Sequence, residues 1–66
     1  MSKTRLKELR EEKGLHQVHV AKELDVSEKT ISNWETGYRQ MDTDTVLKLC
    51  AFFGVTADFF LRRTEY

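Results

Sequence analysis

The chain has 66 residues with one cysteine, no proline and three glycines, so it is expected to form one domain, 1–66, with no internal disulfide to staple it. Eleven basic and eleven acidic residues give a formal net charge of zero, which argues against a binder of nucleic acid that works through bulk positive charge alone. No run approaches the roughly 20 apolar residues of a membrane span, and no signal peptide opens the sequence, so the expected setting is reducing and cytoplasmic.

Gly14, Gly37 and Gly54 divide the sequence into helical segments. Ser2 or Thr4 is placed to cap a first helix running to about Lys13, with Leu6 and Leu9 as its narrow apolar stripe. Gly14 then suits the left-handed residue that ends many helices, with Leu15 as its apolar partner. A second helix is expected from Gln17 to Leu24, carrying Val20, Ala21 and Leu24 on one face. After the short link Asp25-Val26, Ser27 is a good N-cap for a third helix that Gly37 stops, with Ile31 and Trp34 inward.

Residues 38–41 read as a loop. Asp42 or Thr43 caps a fourth helix with Val46, Leu47, Leu49, Cys50 and Phe53 as apolar positions, ended by Gly54. Thr56 caps a short fifth helix carrying Phe59, Phe60 and Leu61, and 62–66 reads as a tail. No segment alternates with the period of two that marks a half-buried strand, so the fold class is all-α.

The span Gln17–Thr36 carries the information about function. Two short helices joined by about three residues must cross steeply, and Ala21 is small enough to sit where their backbones approach. Leu24, Val26, Ile31 and Trp34 supply apolar contacts on both sides of the turn. With those four inward, Glu28, Lys29, Ser32 and Asn33 face outward on a helix that fits a major groove about 12 Å wide.

The run RLKELREEKGLHQVHVAKELDVSEKTISNWETG, followed by DTDTVLKLCAFFGVTADFFL, resembles the phage Cro/repressor-type (XRE-like) helix-turn-helix family of transcriptional regulators over Arg5–Leu61. The resemblance implies a compact five-helix, lambda-repressor-like DNA-binding domain with its helix-turn-helix at about 17–36. It also implies a sequence-specific regulator, mostly a repressor, that binds a palindromic operator as a homodimer in a bacterial cell or phage-infected host. The positions matching base readers are Glu28, Lys29 and Asn33, with Thr30 and Ser32 as lesser contributors. Gln17 matches a residue that opens helix two on a DNA phosphate, and the loop Thr36–Gln40, with Thr36, Tyr38 and Arg39, matches backbone-positioning contacts. Arg10 and Glu35 match an internal ion pair. The sequence departs from the family pattern at His16, where Thr or Ser usually caps helix two. It departs again at Asp25, usually glycine, at Thr36, usually asparagine, and at Met41, often proline.

The residue types allow specific chemistry. Asn33 suits a bidentate contact to adenine, and Lys29 reaches guanine or a phosphate. Glu28 has two readings, an acceptor for cytosine N4 or a carboxylate that favours the first turn of a helix through its dipole. Ser27 is mainly a cap whose hydroxyl can also face a phosphate, and His16 stands where a protonated imidazole would meet one. His16, His19 and Cys50 fall short of a four-ligand zinc site, so no metal and no cofactor is expected. Phe59 and Tyr66 are the candidates for a dimer interface in the C-terminal region. The competing function is an antitoxin-like or other protein-interaction module using the same helices; an enzyme is not expected, because no catalytic constellation is visible.

Overall fold

The structure, a computed structural model, describes residues 4–63. Five helices follow one another: α1 (Leu6–Glu12), α2 (Gln17–Leu24), α3 (Glu28–Thr36), α4 (Thr43–Phe53) and α5 (Ala57–Phe60). No strand occurs among the described residues, as the all-α reading requires.

The helix ends explain this division. Ser27, Asp42 and Thr56 each accept the backbone N–H three residues on, at 3.1, 2.8 and 3.1 Å, and so satisfy a donor that the first turn leaves open. Gly14, Gly37 and Gly54 all take left-handed backbone conformations. At Gly14 the closure is a full Schellman motif, in which Leu15 N–H donates to the Arg10 carbonyl and Gly14 N–H to that of Glu11, both at 3.0 Å.

The first helix differs from expectation at its start. It opens after Arg5 and closes at Glu12, with Lys13 as C-cap. Arg5 makes no side-chain cap bond, because its side chain turns to α5: Nε donates to the Phe59 carbonyl at 2.8 Å, and the guanidinium lies 4.4 Å over the Phe59 ring. Thr4 contributes a long bond of 3.4 Å from Leu6 N–H, while Ser2, the other proposed cap, lies outside the described residues.

Leu6 and Leu9 from α1, Val20 and Ala21 from α2, Ile31 from α3, Leu49, Cys50 and Phe53 from α4 and Phe60 from α5 form the buried core. Leu24, Val26, Trp34 and Leu61 pack against it half-buried. Burial pushes the Cys50 thiol pKa up, in keeping with a core residue. Among the apolar positions expected in α4, Leu47 is the one that faces out. It is 54% exposed, because Val46, Leu49, Cys50 and Phe53 already define the inward stripe at i, i+3, i+4 and i+7 and Leu47 lies off it.

The chain after α5 is also tied down. Arg62 takes a left-handed conformation at φ 63°, Arg63 N–H donates to the Asp58 carbonyl at 2.8 Å, and the Arg62 guanidinium contacts the Glu8 carboxylate of α1. The expected tail from Arg62 therefore begins with two fixed residues, and 64–66 lie outside the described residues.

Three stability changes follow. Phe60→Ala removes a fully buried ring from a small core, at a cost of about 3–5 kcal/mol. That is comparable with the whole stability of a chain this size, so thermal denaturation followed by circular dichroism should show no cooperative transition. Asp25→Gly should raise the melting temperature by a few degrees, because the left-handed backbone at φ 56° costs a non-glycine residue about 1 kcal/mol. Asp42 has its pKa lowered, first by its hydrogen bonds with the Thr45 side chain and backbone. Its contribution is therefore present above the ordinary carboxylate pKa and is lost as pH falls through the lowered one. The melting-temperature gap between wild type and Asp42→Ala should be widest at neutral pH and close below about pH 4.

Candidate nucleic-acid interface

α2 and α3 meet across the turn Asp25–Ser27. Ala21, 3% exposed, sits in the crossing, and its carbonyl accepts Val26 N–H at 2.9 Å while Lys22 carbonyl accepts Asp25 N–H at 3.3 Å. Asp25 supplies the left-handed residue this closure needs; a short polar side chain tolerates that backbone better than most. The turn thus survives the absence of glycine.

A single buried pair locks the two helices onto α1. Arg10 and Glu35 are 8% and 6% exposed. Their contact is bidentate: Nε to Oε2 at 2.6 Å and Nη2 to Oε1 at 3.0 Å. Arg10 Nη1 also donates to the Leu15 carbonyl at 2.9 Å. The hydrogen bond to Glu35 raises the Arg10 pKa despite burial, so the cation persists at every accessible pH. Glu35 has a second partner that the sequence did not reveal: Gln17 Nε2 donates to Oε1 at 3.0 Å. Nothing in the spacing signals this contact, because the two residues lie 18 positions apart on helices whose crossing sets their approach.

α3 turns Ile31 and Glu35 inward. Glu28 and Lys29 are exposed, whereas Ser32 and Asn33 are half-buried rather than fully outward. These four positions form one stripe, and among the described residues their side chains have no hydrogen-bond or ion-pair partner. Thr30 belongs less clearly to the stripe. It is half-buried, and its hydroxyl lies 2.9 Å from that of Ser27.

Around the stripe, several hydroxyls are committed internally. Ser27 Oγ accepts Thr30 N–H and shares a bond with Thr30 Oγ1. Thr36 Oγ1 donates to the Asn33 carbonyl at 3.3 Å. Tyr38 is 77% exposed and Arg39 is exposed, with Arg39 N–H held by the Asn33 carbonyl at 3.2 Å. Thr36, Gly37 and Arg39 line a cleft of about 460 Å³ together with Trp34 and Val46.

The N-terminus of α2 is finished unusually. His16 holds an extended N-cap backbone, and its N–H donates to His19 Nδ1 at 2.9 Å. This bond requires the His19 tautomer with a free Nδ1 lone pair. His16 itself is exposed beside Gln17. No group of three His, Cys, Asp or Glu side chains that could hold a metal occurs among the described residues, and none of their helices is long and apolar enough to cross a membrane. Phe59 is half-buried beneath Arg5, and Tyr66 lies outside the described residues. The other exposed large apolar side chains among the described residues are Val18 on α2 and Leu47 and Phe52 on α4. There Phe52, Ala51 and Lys48 line a shallow groove with Glu23 and Leu24 of α2.

This geometry agrees with what the chain resembles. Residues 6–60 match the family model described as helix-turn-helix. A curated relative, the HTH-type transcriptional regulator ImmR of Bacillus subtilis (strain 168), is 41% identical over 61 residues, which are 92% of this chain and 48% of the relative. The chain therefore spans about half the length of the curated relative it matches. With the family model covering all five helices and the turn between α2 and α3 built as described, this chain belongs to the helix-turn-helix family.

Proposed function

We propose that the protein is a sequence-specific DNA-binding transcriptional regulator, a repressor, that reads duplex DNA by inserting α3 into the major groove. The observation that carries this reading is the stripe Glu28, Lys29, Ser32 and Asn33, unpaired among the described residues on a helix whose opposite face is locked into the core. A rigid helix presenting uncommitted donors and acceptors is what base-edge readout needs. Similarity to a regulator of transcription supports it.

Within the stripe the roles follow from chemistry. Asn33 offers an amide for adenine, Lys29 a cation for guanine or phosphate, and Glu28 an acceptor for cytosine N4. Ser32 and Thr30 are secondary readers, Thr30 chiefly through its methyl group, since its hydroxyl is engaged with Ser27. Gln17 and His16 at the start of α2, Ser27, and Thr36, Tyr38 and Arg39 after α3 lie where backbone phosphates would pass. For Ser27 and Thr36 that contact requires exchanging or sharing a hydrogen bond already made.

Charge argues for a homodimer. Between Gln17 and Arg39 the cations are Lys22, Lys29 and Arg39, and the acids are Glu23, Asp25, Glu28 and Glu35, the last neutralised by Arg10. One copy has little net positive charge with which to hold DNA. Two copies place two helices about 34–36 Å apart on one face of a palindromic site. The C-terminal region, with Phe59 reaching the surface beside Arg5, is the proposed contact. The compartment is cytoplasmic, and no cofactor, metal or catalytic activity enters the scheme.

A second reading, a protein-interaction module of antitoxin type, is favoured by the exposed Phe52 in the groove between α2 and α4. Salt separates the two readings, because phosphate contacts release counterions and make affinity fall steeply with salt.

Selection from randomised duplex DNA should yield a palindromic consensus with half-sites about one helical turn apart; no enrichment over input would overturn DNA binding. On the selected duplex, Asn33→Ala should lose about 10–100-fold in affinity and relax preference at one base pair. Leu47→Ala should match wild type in the same mobility-shift assay. Random duplex at physiological salt should bind only weakly, and submicromolar affinity there would contradict the charge argument.

A further inference from the structure

We infer that Glu35 is a positioning residue for DNA backbone binding, because its carboxylate fixes which face of the Gln17 amide is presented at the start of α2. The inference rests on the DNA-binding reading above and deepens it.

A carboxylate only accepts hydrogen bonds, so the Gln17 group 3.0 Å from Glu35 Oε1 must be the NH2 and not the carbonyl oxygen. An amide NH2 carries two hydrogens. One is held by Glu35, and the second remains for an outside acceptor at the N-terminus of α2. Without the carboxylate the amide is free to rotate by half a turn. It would then present its oxygen to a phosphate, and two acceptors would oppose each other.

Glu35 is itself immobile. Arg10 grips both of its oxygens, at 2.6 and 3.0 Å, and Arg10 in turn donates to the Leu15 carbonyl just before α2. The relay Arg10–Glu35–Gln17 therefore runs from α1 through α3 to the first residue of α2. Three helices together determine one amide's orientation. Gln17 donates to the same Oε1 that Arg10 Nη2 holds, so the amide is aligned on an acceptor that is already fixed.

A double-mutant cycle in DNA affinity tests this, using the whole chain and a duplex selected by the wild type. Thermal circular dichroism confirms that Gln17→Ala, Glu35→Gln and the double variant are folded at the assay temperature. Each single substitution should weaken binding about 10-fold, and the double should be no weaker than the worse single. Where Glu35→Gln does not fold, Glu35→Asp completes the cycle, because it keeps the charge beside Arg10 and shortens the reach to Gln17. Replacing each phosphate in turn by a neutral methylphosphonate locates the contact. With the methylphosphonate at one position wild type and Gln17→Ala should bind alike, and the Glu35 variant should already be insensitive to that replacement. Additive losses, or a Glu35 variant as sensitive as wild type at that phosphate, would show a purely structural role and overturn the inference alone. Failure of the wild type to select any duplex would instead overturn the DNA-binding reading on which it rests.

Discussion

The bidentate pair between Arg10 and Glu35 is the constraint around which the fold is arranged. Burying two charges in so small a protein is expensive. The cost is met only where the geometry is good and the remaining hydrogen-bonding capacity is used. Both conditions hold here. Arg10 spends its third group on the Leu15 carbonyl, and Glu35 accepts from Gln17 as well; no buried side-chain polar atom lacks a partner among the described residues. A hydrophobic substitute of similar shape could be as stable. What it could not do is tie the end of α1, the start of α2 and the last turn of α3 to a single point.

That point sets the orientation of α3. The core reaches it through Ile31 on the inward face, and Ala21 allows α2 to cross close beneath. Asp25 then turns the chain within three residues at the expense of a left-handed backbone. The cap at Ser27 starts α3 at once, so no slack remains between the two helices. α5 has a different duty. Its Phe60 fills the core, while Arg5 clasps it through the Phe59 carbonyl and ring and Glu8 reaches Arg62 beyond it, closing the N-terminal helix over the C-terminal one.

Much of this was legible in the residues themselves. The limits of α2 and α3 fall where Gln17, Ser27 and Gly37 place them, since caps and left-handed stops are local devices with strong residue preferences. Leu47 shows that apolar character alone does not bury a residue: one step off a helical stripe it has the right character but the wrong azimuth. The start of α1 was misread because Arg5 is a poor cap on propensity and is held by α5, 54 residues away in sequence. The Gln17–Glu35 bond was invisible for the same reason, as only the crossing of two helices brings it about. Local signals specify elements, and long-range partners decide what polar side chains do.

The distinction bears directly on the candidate interface. Ser27, Thr30 and Thr36 carry hydroxyls that suit phosphate contacts by type, yet the fold uses all three to finish α3. Glu28, Lys29, Ser32 and Asn33 are the side chains the fold leaves unspent. On the proposed reading, affinity then leans toward base edges and toward a few oriented donors such as Gln17, and away from a broad cationic surface. A neutral chain can discriminate well under those conditions. It forgoes the counterion-release term that makes nonspecific binding strong, so less of its total affinity is shared with random sequence. On the same proposed reading the zero net charge, which first argues against nucleic acid, becomes a source of selectivity once the helix and its supporting ion pair hold the polar groups in place.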